Sequence, residues 1–341
     1  MKQRIVTVFG GSGFLGRHLV RHLAPSGVQL RVAVRDPEAA KFLKPLGGVG
    51  QIVLLHAHVR DPASIALALA GADAVVNLVG ILNERPHLSF EQVHHVGAAK
   101  IAAAAAAAGV ARLVHVSAIG ADSASPSAYA RSKGRGEAAV CAAFPGATIL
   151  RPSVVFGPED EFFNRFGALA RLAPVLPVFF DGLPKLDLMA NFPWPSVKFH
   201  AGESRMQPVF AGDVAEAIVR ALDAPHAVGE TYELGGPMVY SMAELMAFVL
   251  EQAGRPPWLL PIHTWIAHLM GFAFEQAVLP FAFIGKYPAP LLTRDQVKLL
   301  KSDNVVGKNA KGLGDLGIAP LAVEAVVPDY LARFRSGPAR P

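Results

Sequence analysis

The chain has one cysteine, Cys141, among 341 residues. A lone thiol closes no internal disulfide, so nothing ties the protein to an oxidising compartment. Charged residues make up only 17%, and the net charge of +5 is spread without a lysine/arginine block or a basic-aromatic stripe. That excludes nucleic acid as the expected partner. No Cys/His pairs stand at metal-ligand spacing, so no metal is expected, and no G-x-S-x-G elbow marks a hydrolase. Long apolar runs are scarce as well. The alanines from Ala102 to Ala108 are too few to span a bilayer and read as a buried helix. The stretch Trp265 to Ile284 is long enough, but it contains His268, Glu275, Gln276 and Pro280. It reads as an apolar surface for a partner or a bilayer interface rather than as a span.

What is abundant is apolar sequence in short pieces, 52% in all, enough for a sizeable core and too much for a disordered chain. Strand-like sequence begins at Arg4, leaving no room for a signal peptide. The expected location is the cytoplasm, or the inner face of the bacterial cell membrane as a peripheral protein. In the first 150 residues, "RIVTVFG", "VQLRVAV", "QIVLL", "DAVVNLV", "RLVHVS" and "ATILRPS" read as strands. Residues 14–24, 62–70, 89–109 and 128–143 read as helices between them. Strands apolar on both faces alternating with helices predict an α/β fold, a Rossmann doubly wound parallel sheet. The domain reading is residues 1–170 plus about 206–230 for the Rossmann domain and 231–330 for a smaller α-rich lobe. A proline- and aromatic-rich loop or lid fills about 171–205, and 331–341 is a frayed tail.

"VFGGSGFLGRHLV" places Gly10, Gly13 and Gly16 after the first strand and at the opening of the first helix. The spacing is G-x-x-G-x-x-G, and its demands are a tight turn, close backbone approach to a pyrophosphate, and N–H groups at a positive helix end. An acidic residue at the end of the second strand would hold the adenosine ribose of NAD. The sequence has Arg35 there, and a guanidinium suits a 2′-phosphate. Asp36, before Pro37, reads as a helix cap. NADP(H) is therefore expected over NAD(H).

"YARSK" sets Tyr129 and Lys133 on one face of a helix. A lysine beside a tyrosine favours the phenolate, so Lys133 is expected to lower the Tyr129 pKa and make a proton donor and acceptor for carbonyl chemistry. Gly134 and Gly136 follow at once, each costing a helix about 1 kcal/mol relative to alanine, which predicts a support of limited rigidity.

The glycine motif, "HVSAIGA" around Ser117, "YARSK" and "LRPSVVFGPED" together resemble the extended and atypical short-chain dehydrogenase/reductase superfamily, of the NAD-dependent epimerase/dehydratase type. "VVNLVGILNE", "MQPVFAGDVAEAI", "GETYELGGP" and "PLLTRDQVKLLKSDNVV" narrow the resemblance to the nucleotide-binding accessory subunit of respiratory complex I and its bacterial relatives. That resemblance implies firm NADPH binding and a structural or assembly role near the quinone-binding region, without established turnover. Carried over by position, Gly10, Ser12, Gly13, Phe14 and Leu15 contact the pyrophosphate and Arg35 the adenosine phosphate. Leu78, Val79 and Gly80 line the ribose, and Ser117, Tyr129 and Lys133 form the candidate catalytic set around the nicotinamide. Gly11, Gly16, His58, Val59 and Pro152 complete the candidate cofactor set. Three departures stand out. His58 occupies a position where relatives place an aspartate against adenine. His94 replaces an asparagine that supports a water relay in active dehydrogenases. Ser117 precedes Tyr129 by only 12 residues, which shortens the intervening loop.

The function expected on these grounds is an NADP(H)-binding accessory or assembly protein of complex I, partnered by subunits near the quinone site. The alternative is an active oxidoreductase or epimerase acting on a quinone, isoprenoid-like or nucleotide-sugar carbonyl.

Overall fold

The structure is a computed structural model that describes residues 3–85, 88–181, 204–282 and 288–335. The chain divides into two compact units. The first comprises residues 1–155, 209–236 and 306–321. It holds strands β1 (Ile5–Phe9), β2 (Gln29–Val34), β3 (Ile52–His56), β4 (Ala74–Asn77), β5 (Arg112–Val116) and β6 (Thr148–Pro152). Between them lie helices α1 (Phe14–Leu23), α2 (Pro62–Leu69), α3 (Ala98–Ala107) and α4 (Ala128–Ala143); α5 (Ala211–Asp223) and β7 (Thr231–Leu234) follow. All neighbouring strands run parallel, in the order β7-β6-β5-β4-β1-β2-β3. The chain winds outward from β1 in one direction and resumes from β4 in the other. The carboxyl ends of β1 and β4 therefore diverge into a crevice, the place where open parallel sheets take ligands.

Both sheet faces are packed. Val6, Val8, Leu30 and Val32 meet Leu19, Val20 and Ile218 on one side. Phe9, Val75, Leu113 and Ile149 meet Ile65, Ile101, Ala102 and Val140 on the other. The alanine run is not buried throughout: Ala102 and Ala105 face the sheet, whereas Ala103, Ala106, Ala107 and Ala108 are exposed. Small side chains on the inner stripe let α3 approach the strands closely.

The unit boundaries differ from the sequence reading. "VFAGDVAEAIVRAL" forms α5, and the short strand Val209–Phe210 before it does not join the seven-stranded sheet. The strand that returns is β7, which the sequence reading assigned to the small lobe. Its outer edge is covered by Lys311, whose carbonyl accepts from the Glu233 N–H at 2.8 Å. Residues 306–321 belong with the sheet for that reason. The second unit, residues 156–208, 237–305 and 322–341, pairs strands Val175–Phe180 and Trp258–His263 in parallel and is otherwise largely helical. The first of these strands lies inside the stretch read as a loop or lid; residues 182–203 lie outside the described residues. Ala332–Phe334 form a short 3-10 turn, and 336–341 lie outside the description.

Gly134 and Gly136 turn out to be contact positions. A Cβ on Gly134 would fall 2.4 Å from the Ser123 nitrogen, and one on Gly136 would fall 2.1 Å from the His94 carbonyl oxygen. The glycines thus press α4 against backbone on both sides, which fixes the helix rather than loosening it. Gly136→Ala should consequently destabilise the protein, although helix propensity alone favours alanine by about 1 kcal/mol. Overpacking of this kind costs about 1–3 kcal/mol, so the melting temperature is expected to fall by several degrees. A rise on thermal denaturation would contradict the assigned contact.

Candidate functional site

The turn after β1 is shaped by backbone crowding. Gly10 sits at φ +78°, and a Cβ there would lie 3.1 Å from the backbone of Leu78 and Val79. Gly16 packs on Gly11 so closely that a Cβ would lie 2.4 Å from its backbone. The N-terminus of α1, at Gly13, has no side-chain cap and no acidic residue in its first turn. Its N–H groups and the positive helix end remain available to an anion.

A cleft of about 200 Å³ opens here, lined by Gly10, Ser12, Gly13, Arg35, His58, Val59, Leu78, Val79 and Gly80. Ile81, Leu88 and Val93 add an apolar wall that the sequence reading missed; the fold alone brings the segment after β4 over the crevice. Gly11 and Gly16 lie beneath the turn, Phe14 and Leu15 belong to α1, and Pro152 ends β6, where its carbonyl accepts from Ile119 N–H at 3.0 Å. None of these five lines the cleft.

The end beneath Arg35 is basic. His58 is held below its usual pKa by burial first, then by Arg60, Arg35 and His56. Asp36 accepts from Ala39 N–H at 3.1 Å and Asp61 from Ala63 N–H at 3.0 Å, so both nearby carboxylates cap local backbone. His58 takes the Arg60 N–H on Nδ1 at 3.1 Å.

Beyond the cleft's Gly80 edge lies a buried polar cluster under α4; its Ser117, Tyr129 and Lys133 do not themselves line the cleft. Lys133 is 6% exposed, and its Nζ donates to the Val116 carbonyl at 3.3 Å. A Cβ on Gly80 would stand 3.5 Å from that nitrogen, so the ammonium reaches the cleft's Gly80 edge. Ser117, next along β5, is buried with no hydrogen-bond partner for Oγ. A buried hydroxyl without a partner costs about 1–3 kcal/mol, and an ammonium carries three donors. The cluster therefore holds spare hydrogen-bonding capacity beside the cleft, as a ribose-bearing ligand requires. The uncapped helix end, the glycine turn and this spare capacity all fit a dinucleotide.

Two histidines flank Lys133. Ile81 N–H donates to His94 Nε2 at 3.0 Å, so the ring proton sits on Nδ1. That proton reaches Ser132 Oγ at 2.9 Å, and Ser132 donates on to the Tyr129 carbonyl at 2.7 Å. The ring stacks on Phe90 and meets Tyr129 edge-on at 5.3 Å. Burial, then Lys133 and His115, hold His94 down at about 2. His94 is thus a neutral strut between the Gly80–Ile81 edge and α4, with both ring nitrogens engaged. It lies in a π-helical segment, Glu91–Gly97. His115 is the other tautomer: Asn77 Oδ1 accepts from Val79 N–H at 3.0 Å, so its amide nitrogen donates to His115 Nδ1 at 3.1 Å, and the buried Nε2 has no hydrogen-bond partner among the described residues. Burial, then Lys133, puts His115 at about 3.

One expectation is corrected here. Burial raises the Tyr129 phenol to about 12, the opposite of the shift expected from a neighbouring lysine. Burial lowers Lys133 to about 8, with Glu137 opposing. With both pKa values displaced by dehydration, the neutral phenol is the resting form. The shortened loop between Ser117 and Tyr129 is compact: Asp122 accepts from Ala124 N–H at 2.9 Å, and Ser127 caps α4 through Ala130 N–H at 3.3 Å.

Comparison with known proteins identifies the lineage. Residues 6–235 match the model of the NAD dependent epimerase/dehydratase family. The chain belongs to that family. It is 34% identical over 339 residues to the mitochondrial NADH dehydrogenase (ubiquinone) 1 alpha subcomplex subunit 9 of Arabidopsis thaliana, covering 98% of this chain and 78% of that protein. The mouse subunit matches at 34% over 97% of this chain and 81% of its own length. A ceramide reductase of Caulobacter vibrioides is 38% identical, but over only 51% of this chain and 53% of that protein. Among solved structures, UDP-glucose 4-epimerase of Thermus thermophilus with NAD superimposes at a TM-score of 0.65 with 20% identity, covering 97% of this chain and 98% of that one. This last likeness concerns the fold.

The Lys133 environment sets a pH dependence. A cationic Lys133 could donate to a ribose, and that form is lost as pH rises through about 8. Dinucleotide affinity should fall severalfold between pH 7 and 9.5. Stability of the empty protein should move the other way, because above pH 8 the unfolded chain binds the extra proton and the buried charge is relieved. Fluorescence titration and denaturant melts across that range test both slopes, and a flat affinity profile would contradict the anchoring role.

Proposed function

We propose that the protein is an NADP(H)-binding accessory or assembly protein of respiratory NADH:ubiquinone oxidoreductase, with little or no turnover. The observation that carries this reading is the extent of the likeness. Similarity to the alpha subcomplex subunit runs through 98% of the chain, second unit included, whereas that to the reductase stops near half.

Several features support the finer parts. Arg35 borders the cleft among basic neighbours, with the nearby acids spent on caps, which favours a 2′-phosphate over a bare ribose; NAD(H) is the alternative. A phenol raised to about 12 and a histidine with both nitrogens committed suit retention of a cofactor more than proton delivery. When bound, the dinucleotide supplies a hydride at its nicotinamide, and Lys133 and Ser117 would hold the adjoining ribose and carboxamide. Arg35 would hold the phosphate, and the α1 N-terminus the pyrophosphate.

The second unit offers a docking face. Trp258, Leu260, Trp265, Leu269 and Phe272 are exposed, while Phe179 and Phe180 are buried in its core. Phe192 and Trp194 lie outside the described residues. Arg294 lies over the Phe272 ring at 5.2 Å and pairs with Glu275 at 2.8 Å, so its charge is balanced at the patch. Among the described residues no helix is long and apolar enough to cross a membrane. An apolar, tryptophan-bearing face of this kind suits peripheral attachment at the inner membrane surface, next to complex I subunits near the quinone site.

The reductase reading is the alternative, favoured by the presence of Ser117, Tyr129 and Lys133 together. The two readings separate under purification in mild detergent. An accessory protein travels with complex I subunits; a chain that elutes alone and reduces a carbonyl in a Tyr129-dependent manner is an enzyme. On the accessory reading, Tyr129→Phe leaves cofactor binding and assembly nearly intact.

NADPH should bind more tightly than NADH by about 2–4 kcal/mol, the worth of two charge-assisted hydrogen bonds to phosphate. Calorimetric titration of both, with Arg35→Asp removing the difference, checks this. Equal affinities in the unmodified protein would exclude the NADP(H) assignment.

A further inference from the structure

Beside the Gly80 edge of the cleft lies a buried ammonium without a paired carboxylate among the described residues. Among the described residues Lys133 makes no ion pair, and its Nζ donates to a neutral carbonyl, that of Val116. Groups face it from five elements. Tyr129 and Glu137 come from its own helix, His94 from the π segment, His115 from β5 with Ser117 just beyond its end, Asn77 from β4 and Arg151 from β6. His94 and His115 are neutral by the hydrogen bonds that fix their tautomers, and Tyr129 is a phenol. Glu137 is turned to Arg151, with contacts of 2.6 and 3.0 Å, and Arg151 also approaches Glu233 at 3.6 Å. The nearest anion, Glu137, is thus shared with Arg151 and makes no contact with the ammonium, so Lys133 is a cation without a paired carboxylate, in surroundings where burial already disfavours positive charge.

The two redox forms of a nicotinamide dinucleotide share their adenosine, phosphates and riboses. They differ in one respect that matters here: the oxidised ring carries a positive charge, and the reduced ring carries none. We infer that this site discriminates between the redox forms, holding the reduced dinucleotide at least about tenfold more tightly than the oxidised one, because the Lys133 ammonium repels a second cation in a poorly hydrated pocket. The inference rests on the reading that Ser117, Tyr129 and Lys133 face the nicotinamide. A phenolate at Tyr129 would cancel the lysine charge and abolish the discrimination; the dehydrated phenol leaves it in place. The cofactor is then kept in its reduced form by the protein's own electrostatics, which suits a resident group rather than one that is exchanged at every turnover.

Calorimetric titration of the full chain with NADPH and with NADP⁺ at pH 7 tests this. The expected dissociation-constant ratio is tenfold or more in favour of NADPH, equivalent for a two-electron couple to a bound potential about 30 mV above that of the free cofactor per factor of ten. Lys133→Met should bring the ratio close to one. The unmodified protein gives an independent measurement: at pH 9.5, above the Lys133 value of about 8, the ratio should narrow, because His94, His115 and Tyr129 do not change charge between pH 7 and 9.5. Tight and equal binding of both forms would overturn the inference while leaving the cofactor assignment standing. Failure of both to bind would overturn the cofactor assignment and the inference with it. A ratio that stays wide both in Lys133→Met and at pH 9.5 would overturn Lys133 as its cause.

Discussion

An ammonium ion held out of water is the most demanding group in this structure, and much of the first unit is arranged around it. Removing a cation from solvent carries a penalty of several kcal/mol before compensation. Here compensation is sparse: one carbonyl at 3.3 Å and the field of Glu137. The arrangement survives because Lys133 sits on a helix that cannot move aside. Gly134 and Gly136 seat α4 against backbone on two sides, Ser127 caps its start, and the His94–Ser132 chain ties its first turns to the far wall of the cleft. A ligand that gives the ammonium oxygen partners then relieves a tension already present in the empty protein.

The same physics explains why residues typical of catalysis here suit retention better. A tyrosine and lysine four positions apart can act as a proton-transfer pair only if the phenol ionises near neutral pH. That requires hydration or compensating charge, and the cluster provides little of either. Dehydration moves the two groups in opposite directions, each toward its neutral form. The side chains remain well suited to hydrogen bonding a cofactor, which needs donors rather than transferable protons.

Much of this was legible in the sequence. Strands apolar on both faces announced a sheet covered on two sides, and the glycine spacing after β1 located the crevice. The edges of the reading were weaker. β7 looked like the start of another lobe because "TYEL" is too short to display periodicity; its place depends on pairing with β6, a long-range contact. Gly134 and Gly136 were misread because helix propensity is a local quantity, whereas their role depends on Ser123 and His94, neighbours only in the fold. The direction of the Tyr129 shift was missed for a similar reason. Adjacency of Tyr129 and Lys133 is written in the spacing, but the depth at which they lie is not. His94, by contrast, drew attention as an unusual residue at its position, and the fold supplies its job.

The π-helical segment Glu91–Gly97 gives His94 its direction. Such a turn accommodates one residue more than an α turn, and in an α-helix each residue advances the side chain by about 100°. The extra residue therefore lets two faces coexist on one continuous helix: His94 turned toward α4, and Ala98, Ile101, Ala102 and Ala105 turned toward the sheet. Loss of a single residue from this stretch would bring the two halves into one phase and swing the imidazole away from Ser132 and Ile81. The length of the segment, more than its composition, thus ties the Gly80 edge to α4.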